Sequence, residues 1–382
     1  MIKIILSFFL AVCSIFLSID SSALDVSAKS AALIEASNKE IMYGKNENDK
    51  LPMASTTKIM TSLLTLESGI KNDAIIVNED MLKVEGTSMG LLPGDTVAVK
   101  DLVYGMLLAS GNDAANVAAI TVGGGDLEKF ALLMNERAQQ IGMKNTNFVT
   151  PSGLDEEGHY STAYDMALLG AKAISNPEFR AICGSKSVRL SYGNPPYQRT
   201  LTNHNRLLNT YDSAIGIKTG FTKKSGRCLV SAAEKDGVTL VAVTLKAPND
   251  WDDHIKMFEY GFSQYKSVAL DADLSNVFLD VVGAKVGKVA LQCATQPQVT
   301  LKISQSEQVV RIIELSHFEY APINQGKIVG RVSYYIKDEL VCETPIITAQ
   351  AVESNIKILE NKQPIKNEKK FSIKNFFEKF KK

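Results

Sequence analysis

Ser55 and Lys58 stand in the run Ser55-Thr-Thr-Lys58, directly ahead of the apolar stretch Ile59 to Leu66, whose spacing predicts a helix. On a first helical turn both side chains lie on one face and can meet. A serine hydroxyl is a weak nucleophile until a base takes its proton, and a lysine in a dry, cation-rich cleft loses enough proton affinity to be that base. The same helix start directs backbone N–H groups toward the site, which suits an oxyanion. Read locally, Ser55 is equally an N-cap and Lys58 an exposed first-turn lysine, and a second Ser-x-x-Lys occurs at Ser263 to Lys266.

Two further elements follow in order. Asp101 to Ala109 predicts a helix ending at Ser110-Gly111, and Asp113 to Ile120 predicts another, so Ser110 and Asn112 occupy a tight turn. A hydroxyl there can relay a proton between Lys58 and a leaving amine, and an amide can hold a substrate peptide group. Ser-Gly-Asn-Asp is also an ordinary helix-capping turn. Lys218-Thr219-Gly220 lies after Ala214 to Ile217 and before two strand-like runs, Cys228 to Ala233 and Val238 to Thr244, which places it on a strand beside a hairpin. Lys224-Ser225-Gly226, a near copy, falls in the hairpin turn. An ammonium and a hydroxyl on a strand edge suit a terminal carboxylate, and Gly220 lets a ligand backbone come close. His204-Asn-Arg206 is a further candidate for a carboxylate contact.

The order of these elements resembles the S-x-x-K, S-D-N and K-T-G set of serine acyltransferases that react with penicillin, with Gly111 where that set has Asp. Nearly the whole chain resembles a low-molecular-mass penicillin-binding protein, specifically a serine-type D-alanyl-D-alanine carboxypeptidase. Glu85 to Gly90, Leu92-Pro-Gly-Asp95, Thr150 to Leu154 and His159 to Asp165 resemble segments that flank the family's cleft. The resemblance implies an α/β (α+β) catalytic domain of the serine β-lactamase/transpeptidase type, followed by a C-terminal all-β sandwich. It implies Ser55 as nucleophile, Lys58 as base and Ser110 as proton relay. Asn112 would contact a substrate amide, and Lys218 and Thr219 would hold the carboxylate. Main-chain N–H groups of Ser55 and of Phe221, the residue after Gly220, would form the oxyanion hole. The implied partners are a peptidoglycan stem peptide ending in D-Ala-D-Ala and β-lactam antibiotics. The rival readings are a β-lactamase, for which Glu156 and Glu157 are the glutamates to inspect, a D,D-endopeptidase, and a catalytically silent wall-binding scaffold.

These residues need a scaffold, and 382 residues agree with two globular units plus appendages. Lys plus Arg equals Asp plus Glu at 42 each, which argues against nucleic acid as the main partner. There is no glycine-rich phosphate loop, and four scattered histidines do not suggest a zinc site, so no cofactor or metal is expected. Lys3 followed by the apolar Ile4 to Leu17 and by Asp20-Ser-Ser-Ala23 reads as a secretion signal over 1–23. Beyond it, 24–268 is expected to be the catalytic domain. Short alternating runs such as Val277 to Val281, Val299 to Ile303, Val309 to Ile313 and Arg331 to Tyr335 mark a β-rich domain over 269–355. A linker over 356–368 then leads to 369–382, where Ile373, Phe376, Phe377 and Phe380 keep helical spacing among lysines. That tail predicts an amphipathic helix lying on an anionic membrane, and with the signal it predicts an exported protein at the outer face of the cytoplasmic membrane or in the periplasm. Cys183, Cys228, Cys293 and Cys342 are expected as buried free thiols, because a chain this large needs no disulfide to complete its core.

Overall fold

Val238 to Leu245 is apolar almost without a break, and such a strand must be covered on both faces. In the computed structural model, which describes residues 24–70, 74–303 and 309–355, it is the centre of a five-stranded antiparallel sheet. The order across that sheet is Ile41–Lys45, Ser30–Glu35, Val238–Leu245, Gly226–Lys235, Ala214–Thr222. Successive side chains alternate between two cores. Ala32, Ile34, Val230, Val241 and Val243 belong to the larger one, with helices Lys58–Glu67, Val99–Leu107, Asn112–Val122 and Ala163–Ile174. Ala31, Leu33, Leu229, Leu240 and Ala242 pack with Met257 and Phe258 of helix Asp250–Gln264 on the opposite face.

The helix boundaries follow local chemistry. Asp126 accepts from Glu128 and Lys129 N–H at the start of Leu127–Ile141, and Gly142 ends that helix at φ +95°. Thr162 caps Ala163–Ile174 by accepting from the Asp165 N–H. The helices predicted around Ser110 are present as Val99–Leu107 and Asn112–Val122.

The described residues through Val268, with a short segment beginning at Thr300, form one compact unit, and Ala269–Val299 with the described residues from 309 form a second. The second unit is β-rich. Its six-stranded sheet runs Val310–Leu315, Ile328–Ile336, Glu339–Thr348, Lys288–Cys293, Phe278–Val282, Glu319–Tyr320. All neighbours are antiparallel except the last pair. Leu279, Val281, Val289, Leu291, Val332 and Ile346 are buried there. Cys183 and Cys228 are buried while Cys293 and Cys342 are only half-buried, and all four are free thiols. No helix among the described residues is long and apolar enough to cross a membrane. The signal over 1–23, the linker over 356–368 and the amphipathic helix over 369–382 lie outside the described residues.

Candidate active site

Ser55 sits in a 3₁₀ turn, Ala54–Thr57, that runs straight into helix Lys58–Glu67. The tighter turn is what aligns the pair, because side chains three residues apart eclipse in a 3₁₀ helix. Ala54 enters it at φ +48°, a left-handed conformation that costs a non-glycine residue about 1 kcal/mol or more and persists only where the surroundings impose it. Lys58 is fully buried, and its Nζ lies 3.1 Å from Ser55 Oγ, 2.6 Å from Asn112 Oδ1 and 2.7 Å from the Ser152 carbonyl oxygen. Two of those neighbours only accept. A neutral amine therefore spends its two N–H groups on them and turns its lone pair to the Ser55 hydroxyl, which can donate. Burial first, and then the like charge of Lys218, hold the Lys58 ammonium well below its usual range, with Asp113 pulling the other way.

The Ser152 carbonyl is held in place by its own loop. Val149 N–H donates to His159 Nδ1 at 2.9 Å, so the imidazole carries its proton on Nε2 and donates to Thr57 Oγ1, also at 2.9 Å. Burial lowers the His159 pKa to about 4, against a smaller opposing effect of Asp155, which keeps this neutral tautomer over the working range. Thr61 Oγ1 donates to the Pro151 carbonyl at 2.6 Å. Gly153, at φ +84°, presses on the Ala54–Thr57 turn: a Cβ there would stand 1.9 Å from the Ala54 carbonyl oxygen and 2.8 Å from Thr57 Oγ1. Gly153→Ala is thus expected to push Ser152 away from Lys58 and slow acylation of Ser55 about 100-fold. Stopped-flow acylation checks this, and an unchanged rate would show that the loop yields without moving Lys58.

Ser110 makes the turn at φ +58°, is nearly buried, and lines the cavity with Ser55. Among the described residues its hydroxyl has no hydrogen bond to Lys58 or Ser55, so the structure brings it to the cavity without fixing its proton partner. Its carbonyl accepts from Thr87 Oγ1 at 2.6 Å. Asn112 is the residue expected to contact a substrate amide. Its Oδ1 takes Lys58, and its Nδ2 donates to the Glu85 carbonyl at 2.6 Å, so both ends of the amide are engaged within the protein. Gly111 has a steric reason to be glycine: a Cβ would come 2.6 Å from Asp113 Oδ1 and 2.9 Å from Met89 N.

Lys218, Thr219 and Gly220 lie on the edge strand Ala214–Thr222. Gly220 allows a close approach to the turn that holds Ser55, since its Cβ would stand 3.1 Å from Met53 O, Ser55 N and Thr56 N. Lys218 is fully buried, donates to the Thr219 carbonyl at 2.8 Å, and has its pKa lowered by burial to about 7. Phe221 is 66% exposed. Ser55, Ser110, His204, Thr219, Gly220, Phe221, Arg227 and Trp251 are among the residues that line one cavity of about 500 Å³. Sequence reasoning placed Thr87 and Ser152 in segments beside the cleft without giving either a role, and it missed the wall formed by Arg227, Asp250 and Trp251. The hairpin turn at Lys224 to Gly226 was a signal for Arg227, because counting outward from it pairs Phe221 with Arg227. Glu156 and Glu157 are exposed, and neither lines the cavity.

Residues 18–249 match the family described as D-alanyl-D-alanine carboxypeptidase, and residues 264–354 match the penicillin-binding protein 5 C-terminal domain. The chain is 33% identical over 338 residues to the D-alanyl-D-alanine carboxypeptidase DacF of Bacillus subtilis, covering 85% of this chain and 86% of that protein. It is 32% identical over 348 residues to DacC of Escherichia coli, named a D-alanyl-D-alanine carboxypeptidase, covering 86% and 85%. Among solved structures, penicillin-binding protein 5 of Haemophilus influenzae superposes with a TM-score of 0.63 at 27% identity, over 86% of this chain and 98% of that one. The DD-transpeptidase of Streptomyces K15 superposes at 0.60 with 28% identity, over 63% and 98%.

Proposed function

The chain belongs to the D-alanyl-D-alanine carboxypeptidase family, and we propose that it removes the terminal D-alanine from peptidoglycan stem peptides through an acyl-enzyme on Ser55. Ser55 Oγ attacks the carbonyl of the penultimate D-alanine, Lys58 takes the hydroxyl proton, and the proton passes by way of Ser110 to the departing amine as the C–N bond breaks. Backbone N–H groups of Ser55 and Phe221 carry the oxyanion. Water then attacks the ester, restoring Ser55 and releasing the shortened peptide. One observation carries this reading: the buried Lys58 amine has its N–H groups committed to Asn112 and Ser152, so that its lone pair is left for Ser55. Asn112 acts by holding that amine, and Thr219 offers its hydroxyl to the carboxylate. β-Lactams present a carbonyl and a carboxylate at similar separation and acylate the same serine.

A β-lactamase would need a glutamate and a water at the ester. The exposure of Glu156 and Glu157, away from the cavity wall, speaks for the carboxypeptidase. The β-rich unit, which carries no nucleophile and base together in the sequence, is read as a stand-off that presents the catalytic unit to the wall. Export by residues 1–23 and a peripheral anchor formed by residues 369–382 complete the proposal and rest on the sequence pattern alone. The test follows free D-alanine from a pentapeptide ending in D-Ala-D-Ala, and maps the penicilloyl adduct by peptide mass. Release of D-alanine with the adduct on Ser55 is the expected result. Penicillin turnover without D-alanine release would move the assignment to β-lactamase.

A further inference from the structure

We infer that Arg199 is a positioning residue for acylation: it pins the loop over 85–95 from outside the cavity, and through Thr87 that loop sets the turn that carries Ser110 and Asn112. The inference deepens the carboxypeptidase reading above and rests on it. Ser110 keeps a left-handed backbone at φ +58°, which a non-glycine residue holds only where its surroundings impose it. The loop grips that turn at three points. Thr87 Oγ1 donates to the Ser110 carbonyl at 2.6 Å, the Thr87 carbonyl accepts from Asn112 N–H at 2.7 Å, and the Glu85 carbonyl accepts from Asn112 Nδ2 at 2.6 Å. Asn112 Oδ1 in turn accepts from Lys58 Nζ. A shift of the loop therefore reaches Ser110 and Lys58 together.

The loop is held from two sides. Asp113 takes the N–H groups of Met89, Gly90 and Leu91, whereas the carbonyls are taken by a hairpin of strands Ser187–Gly193 and Pro196–Thr202. Tyr192 Oη donates to the Met89 carbonyl at 2.8 Å, and Arg199 Nη1 donates to the same oxygen at 3.2 Å and to the Gly90 carbonyl. The register pairs Tyr192 with Tyr197, so both rings and Arg199 share one face of the hairpin. The guanidinium carbon lies 4.4 Å from the Tyr192 ring centre and 4.0 Å from that of Tyr197, within cation–π range of both. Gly90, at φ +86°, makes room for it, since a Cβ there would stand 2.8 Å from Arg199 Nη1. Arg199 Nε and Nη2 are buried and have no hydrogen-bond partner among the described residues. Asp95 Oδ2, 3.7 Å from Nη2, accepts instead from Leu92 N–H at 2.9 Å. Two unused buried donors oppose stability, so what the arginine supplies is its reach to the two carbonyls.

D-Alanine leaves as the ester on Ser55 forms, so its release in a single turnover with enzyme in excess reads acylation itself. The full chain is compared as wild type, Arg199→Met, Arg199→Lys, Thr87→Val and the double variant Arg199→Met/Thr87→Val, with the Tm of each taken by circular dichroism. Arg199→Met keeps the length and loses the donors. Its acylation rate constant is expected to fall about 10- to 100-fold, the range for a misplaced catalytic group, while the half-saturating concentration stays within about threefold. Arg199→Lys keeps one cationic donor and should recover part of the loss. Thr87→Val removes the hydroxyl that holds the Ser110 carbonyl. Because Arg199 acts through Thr87, the double variant should be no slower than the slower single variant, whereas independent roles would multiply the losses. Should Arg199→Met not fold, Tyr192→Phe takes its place, with a severalfold loss and the same non-additivity expected. Multiplied losses, or a lower Tm with an unchanged acylation rate, would make Arg199 a structural residue and overturn the inference. No release of D-alanine by wild type would instead overturn the carboxypeptidase reading on which it rests.

Discussion

Lys58→Arg is expected to lose acylation by penicillin about 10³-fold, within the range general-base catalysis supplies, while Ser55 remains in place. Arginine keeps a positive charge and hydrogen-bond donors for Asn112 Oδ1 and the Ser152 carbonyl, but it does not deprotonate and so has no lone pair to offer. A site that needed only a cation beside the serine would tolerate the change. Lys58→Met is the companion variant, close in length and uncharged. It leaves the two acceptors without their donor, and its loss should be at least as great. Both rates are read by the same stopped-flow assay, and a loss below tenfold in either variant would remove Lys58 from the role of base.

The pH dependence carries an independent sign. A base acts in its unprotonated form, so with Lys58 as the proposed base kcat/KM is expected to rise with pH through the Lys58 pKa, on an acid limb well below the usual lysine range. The Lys218 charge is one of the forces that hold Lys58 down. Taking it away in Lys218→Gln raises the proton affinity of Lys58, and the acid limb should move to higher pH. A limb that stayed put would mean that burial alone tunes the base.

Much of this was legible from residue order. Ser55 and Lys58 had to meet once a helix was expected after them, and Ser110 had to fall in a turn once helices were expected on either side. The structure changed the local detail, since the eclipsed geometry comes from a 3₁₀ turn at Ala54–Thr57. What could not be read is chemistry supplied by the main chain. The Ser152 and Glu85 carbonyls carry no residue-type signature, yet they decide where the Lys58 lone pair points and where the Asn112 amide is spent. Facing direction was hidden for a related reason. Lys218 and Thr219 are neighbours in sequence, and strand alternation separates a buried residue whose charge acts on Lys58 from one that lines the cavity.

Asp113→Ala tests how that hidden framework is built, and its expected cost is about 3 kcal/mol. The Asp113 carboxylate is buried at the start of helix Asn112–Val122, where the positive end of the helix favours it. It accepts from Ser88 Oγ at 2.6 Å, from Met89 N at 2.9 Å, from Gly90 N and Leu91 N at 3.0 Å, and from Ala114 N at 2.8 Å. These bonds fold the loop that supplies the Glu85 carbonyl to Asn112 and Thr87 to the cavity wall. Alanine strands the Met89 and Leu91 donors, which are shut away from water, so the loss exceeds that of one ordinary hydrogen bond. For a unit of this size about 3 kcal/mol lowers Tm by about 10 °C, readable by circular dichroism. Asp113→Asn keeps an acceptor oxygen and should lose less. It also removes a charge that raises the Lys58 pKa, so its acid limb should move to lower pH, opposite to Lys218→Gln. Shifts of one sign in both variants would rule out through-space tuning of Lys58 and leave displacement of the loop as the cause.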